Sequence, residues 1–186
     1  KSTFADFLER HAFASHIPLD KYFRSVPKGE VFLNWVQAPE SIDWQLLDEL
    51  LEILQRGGAC YTPVIDAWGT GQRVADGGKR AHANSKLIRP AARYVVPGCL
   101  SFEYRGEHQI ASRVFINTSL HKVAERVARM EVQEVELEGM LSEALTPSFT
   151  QILDYKTLAD YVFSGEANEF EMLKYLEQLT AGLSQA

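Results

Sequence analysis

The apolar residues of this 186-residue chain change their spacing along its length, from short β-rich or alternating runs to a three- and four-residue recurrence. That change confines it to folds that hold both strands and helices. Residues 30–37 (EVFLNWVQ), 59–66 (ACYTPVID), 92–96, 99–104 and 109–116 favour strands, because β-branched and aromatic side chains suit a pleated, half-buried surface. Pro63 lacks the N–H a ladder needs and pushes the second of these to an edge or a bulge. Leu100, Phe102 and Tyr104 alternate with Ser101, Glu103 and Arg105, as a strand with one dry and one wet face requires. With Pro97-Gly98 as a turn and Arg105 to His108 as a hairpin loop, residues 92–116 read as an antiparallel meander.

Helical spacing appears in three places. Near the start, Ser2 to Leu8 forms a short amphipathic pattern that His16-Ile17-Pro18 redirects. Between 42 and 56, Trp44, Leu47, Leu51 and Leu54 share a face; Ser41 is placed to cap the helix, and Gly57-Gly58 to stop it. From Thr118 onward, Leu120, Val123, Val127, Met130, Leu137, Met140, Leu141 and Ala144 make a long stripe. Thr146-Pro147 then opens a helix carried through Phe149, Ile152, Leu153, Ala159 and Val162. Asn168 and Glu171 make a capping box ahead of Leu173, Leu176 and Leu179. The expected fold is α+β: a small, mainly antiparallel sheet with helix 42–56 packed on it and a C-terminal helical layer. The expected organisation is a core over 1–117 containing a long Gly-rich, basic loop at 67–88. An acidic helical segment, 118–186, packs on that core or on a second subunit.

Charge is unevenly distributed. The chain carries a net −6, yet residues 71–113 hold eight Lys and Arg against three Asp and Glu, a local +5. Like charges held close repel unless an anion or an acidic surface offsets them. Lys79, Arg80, His82, Lys86, Arg89 and Arg93 are therefore the candidate ligand-binding residues, suited to charge-assisted bonds with phosphate or carboxylate. Gly69-Thr70-Gly71 and Gly77-Gly78-Lys79-Arg80 add glycines that let backbone N–H groups approach an oxyanion. Neither follows a nucleotide-binding motif: Arg73 and Arg80 break the P-loop pattern, and Val74 stands where the dinucleotide fingerprint needs its third glycine.

The two cysteines, Cys60 and Cys99, are too few for a disulfide framework, and the five histidines show no metal-ligand spacing. No metal and no cofactor is expected. Asp66, at a strand end, and a Cys99/His108 pair are the residues an enzyme would draw on, but no third group orients them. Tyr104-Arg105-Gly106, Asn117-Thr118-Ser119 and Glu134-Val135-Glu136 resemble, in order, the Arg, S-T-S and E-x-E motifs of ADP-ribosyltransferases. Those enzymes separate the motifs by whole strands and helices, and far less chain intervenes here. Residues 130–162 resemble the second half of a polyketide acyl carrier domain, with Glu131 at the place of the serine that carries the phosphopantetheine arm.

With 46% hydrophobic and 24% charged residues, the chain has the material for a core, which sets it apart from disordered sequences. It has no apolar run near the ~18 residues that span a bilayer. The expectation is a cytoplasmic, noncatalytic binding or regulatory domain that recognises an anionic, phosphate-containing ligand or protein partner through 71–93. An enzyme acting on a nucleotide or other phosphate-containing substrate is the first alternative. An interaction or homo-oligomerisation module built on the C-terminal helices is the second. Trp68, Tyr94, Phe102 and Tyr104 are compatible with stacking on nucleic acid, but a pI near 5.4 weighs against a dedicated nucleic-acid binder.

Overall fold

The computed structural model describes residues 1–29, 35, 37–63, 85–128 and 152–184. The chain divides into two compact units, Lys1–Gln109 and Ile110–Ala186. In the first, the described elements are α1 (Ser2–Arg10), β1 (Ser15–His16), α2 (Trp44–Gln55), β2 (Cys60–Tyr61), β3 (Leu87–Ile88) and β4 (Tyr94–Val95). Tight 3₁₀ turns lie at Leu19–Tyr22, Pro39–Ser41 and Ser101–Glu103. In the second are β5 (Val114–Asn117), α3 (Leu120–Ala128), β6 (Tyr161–Ser164) and α4 (Glu169–Leu183).

Helix α1 buries Phe4, Ala5, Phe7 and Leu8, one stripe of a 3.6-residue period. It ends through Ala12, whose φ of 54° is left-handed backbone that a residue bearing a Cβ rarely adopts. There the Ala12 N–H donates to the Glu9 carbonyl (3.0 Å) and the Phe13 N–H to the Leu8 carbonyl (3.0 Å), satisfying carbonyls at the helix end. The chain thus reverses, and β1 pairs in parallel with β4, Ser15 opposite Tyr94 and His16 opposite Val95. Strands β2 and β3 pair antiparallel, Cys60 opposite Ile88 and Tyr61 opposite Leu87. Thr62 and Lys86 extend that ladder, with both Thr62 N–H to Lys86 carbonyl and Lys86 N–H to Thr62 Oγ1 at 2.9 Å.

Helix α2 sets Leu47, Leu50 and Leu54 into the core beside Phe7, Ile17, Leu19, Tyr22, Ile42 and Ile88, all buried. Its N-cap is Asp43, whose carboxylate accepts the Leu46 N–H at 3.1 Å. Ser41, the cap expected from sequence, is instead buried in the preceding turn, because Pro39 starts a 3₁₀ turn that delays the helix by two residues.

In the second unit β5 and β6 run parallel, from Val114 opposite Tyr161 to Asn117 opposite Ser164. Helix α4 lies against β6. Phe163 stacks on Tyr175 with ring centroids 4.1 Å apart, and a Cβ at Gly182 would collide with the Tyr161 hydroxyl. The capping box at its start is complete: Asn168 Oδ1 accepts the Glu171 N–H (3.0 Å), and Glu171 Oε2 accepts the Asn168 N–H (2.8 Å). Arg126, on α3, donates to the Gly165 carbonyl after β6 at 2.9 Å.

The class is α+β, as the spacing implied. The pairing differs from the expected meander. Among the described residues one ladder is antiparallel and two are parallel, each of two strands. Leu100, Phe102 and Tyr104 are buried as expected, but Ser101–Glu103 is a 3₁₀ turn rather than a strand, and the turn fills its dry side with the same three side chains. Tyr104 meets Trp44 edge-on, with ring centroids 5.9 Å apart, and donates its hydroxyl to Asp48, so the segment docks on α2 instead of pairing with a neighbour. Strand 59–66 is described only as far as Pro63, with β2 at Cys60–Tyr61. The helix expected to run through Val162 does not, since Val162 lies in β6. The strand at 30–37 lies almost wholly outside the described residues, as do the loop from 67 to 84 and the stripe from Met130 to Ala144. No described helix is long and apolar enough to cross a membrane.

Candidate anion-binding segment

Of the six basic residues singled out from sequence, Lys79, Arg80 and His82 lie outside the described residues. The other three are placed, and their environments differ. Lys86 sits just before β3, and its Nζ donates to both Glu9 carboxylate oxygens (2.8 and 2.6 Å) and to the His16 carbonyl (3.0 Å). One ammonium thereby ties together α1, β1 and the approach to β3. Glu9 also accepts the His16 N–H at 3.0 Å. Burial works against ionisation of Glu9, but the Lys86 hydrogen bond and the His16 amide outweigh it and hold the carboxyl below the ordinary glutamate range. Lys86 is thus an internal cation.

Arg89 and Arg93 are exposed, and among the described residues neither meets a carboxylate. Arg93 stands immediately before β4. Its carbonyl accepts the Ser15 N–H at 2.9 Å, and its guanidinium carbon lies over the Phe13 ring, 4.9 Å from the centroid. An exposed cation over a ring gains about 0.5–1 kcal/mol without forming an ion pair. Among the described residues, the basic segment therefore holds a neutralised lysine and two exposed arginines. Sequence could flag all three as basic; it could not show that Lys86 would meet Glu9, 77 residues earlier.

Two clusters escaped the sequence reading. Asp6, Glu9 and His16 bring one ligand-type atom each within 4.8 Å of one another. The His16 Nδ1–H donates to Asp6 Oδ1 at 2.8 Å, and both Glu9 oxygens already hold Lys86, so the ammonium supplies the positive charge that a metal ion would bring. The second cluster joins α2 to the 104–108 segment. Tyr104 donates to Asp48, the His108 N–H reaches the Tyr104 hydroxyl at 3.4 Å, and Gln55 Nε2 donates to His108 Nδ1 at 3.0 Å. Burial and the Asp48 carboxylate push the Tyr104 hydroxyl up to about 12, so it remains a donor at neutral pH. His108 is engaged with α2 here, and Cys99 is exposed. Asp66 lies outside the described residues. No family model matches the sequence, and no curated protein matches it either.

Proposed function

We propose that the chain is a noncatalytic binding or regulatory domain that recognises an anionic, phosphate-containing ligand or partner through the basic segment 71–93. Arg89 and Arg93 are its described contact groups. The observation that carries this reading is the contrast within one short stretch: Lys86 is neutralised by Glu9, whereas Arg89 and Arg93 face solvent with no carboxylate beside them among the described residues. Guanidinium groups present paired donors that match two oxygens of one phosphate, and they keep their charge at any physiological pH. The local +5 draws such an anion toward the segment from within a chain that is acidic overall.

The test is calorimetric titration of the protein with adenosine, ADP, ATP, a sugar phosphate and inorganic tripolyphosphate. Binding is expected for phosphate-bearing compounds and not for adenosine. A panel in which nothing binds, or in which adenosine binds as well as ATP, contradicts the reading.

A further inference from the structure

The guanidinium carbon of Arg93 lies over the Phe13 ring, 4.9 Å from its centroid. We infer that the ligand carries a terminal phosphate held by two parallel N–H···O bonds from Arg93, with Phe13 as a positioning residue. This inference rests on the reading above and deepens it.

The geometry fixes Arg93 at both ends. Its backbone is held where the Ser15 N–H donates to its carbonyl, and its guanidinium carbon is held over the Phe13 ring. The two holding points are only two residues apart on the same strand approach. That approach is itself set by the left-handed turn at Ala12 and by the Phe13 N–H bonded to the Leu8 carbonyl. With its guanidinium carbon 4.9 Å from the Phe13 centroid and no carboxylate beside it among the described residues, Arg93 has N–H donors that no ion pair has taken up. An arginine held in an ion pair has already committed those donors. Of the three placed basic residues, Arg93 combines exposure, a fixed backbone and an apolar platform, whereas Lys86 has spent its donors on Glu9 and His16.

A terminal phosphate suits this group because it offers two oxygens at the fork's spacing and further charge for a second cation. Lysine in place of Arg93 would preserve the charge and lose the fork. An aromatic residue in place of Phe13 would preserve the platform. Leucine would preserve bulk and apolarity without the π-face.

The experiment titrates tripolyphosphate into the full chain and into Phe13→Leu, Phe13→Tyr, Arg93→Lys and Arg93→Glu, with a melting curve for each. Phe13→Leu is expected to weaken binding about threefold to fivefold, and Phe13→Tyr to stay within about twofold of the parent. Arg93→Lys is expected to lose about tenfold, with its melting temperature unchanged. If Arg93→Glu binds as tightly as the parent, the proposed function itself fails at this residue. If Arg93→Glu weakens binding but Arg93→Lys does not, the fork is overturned and the anion site stands. If Arg93→Lys weakens binding while a folded Phe13→Leu does not, Phe13 has no positioning role. Should Phe13→Leu fail to fold, Phe13→Met is titrated in its place, and a folded Phe13→Met that binds as tightly as Phe13→Tyr overturns the positioning role.

Discussion

Glu9 joins three parts of the first unit through one carboxylate, which receives the His16 amide and the Lys86 ammonium while its backbone belongs to α1. A charge-assisted bond of this kind contributes about 1.5–3 kcal/mol when sheltered, and less where both side chains keep about a third of their surface in water. Glu9→Gln is therefore expected to cost about 1–2 kcal/mol at neutral pH, read from urea midpoints. The pH dependence follows from the direction of the shift. Glu9 is held below its ordinary value of 4.5, so its contribution is complete above that value and is lost as pH falls through the lowered one. The gap between parent and variant should be fully present above 4.5 and close as pH falls below it. A gap that widens on acidification would show that Glu9 is not held by Lys86 in the way described.

At the scale of elements, the local signals were the legible ones. The capping box at Asn168 needs only four consecutive residues to be recognised, and both of its hydrogen bonds are present. Asn168→Ala should cost about 0.5–2 kcal/mol and fray the start of α4, seen as faster amide exchange from Phe170 to Leu173. Unchanged exchange there would mean that packing of Phe163 on Tyr175, and not the cap, holds the first turns. Helix α2 was legible for a similar reason, since its apolar period repeats over three turns. Strand pairing was not. A two-residue strand such as β1 carries no period, and its parallel partner β4 lies far along the chain, where no turn residue announces the pairing. The alternation at Leu100, Phe102 and Tyr104 reported burial faithfully, but burial on every second residue does not require a ladder. The candidate site divides along the same line. The basic run is visible in composition, while the roles of Glu9 as counter-charge and Phe13 as platform depend on the fold of α1 and the reversal at Ala12.

At the scale of the whole molecule, a −6 chain carries a +5 segment whose described cations, Lys86, Arg89 and Arg93, have different surroundings. Lys86 is paired with Glu9 within the first unit, and on the proposed reading Arg89 and Arg93 serve an external anion. Those tasks have opposite experimental signatures, because an internal pair contributes to stability and an unpaired surface charge contributes mainly to attraction at a distance. The most direct measurement compares Lys86→Met with the double variant Arg89→Glu/Arg93→Glu, following both melting temperature and tripolyphosphate affinity at low and high salt. Lys86→Met should lower the melting temperature and leave the salt dependence of affinity in place. The double variant should melt within about a degree or two of the parent, bind at least about tenfold more weakly, and lose most of its salt dependence. A double variant that melts well below the parent while binding tripolyphosphate undiminished would place both arginines in the fold's own charge balance and contradict the account.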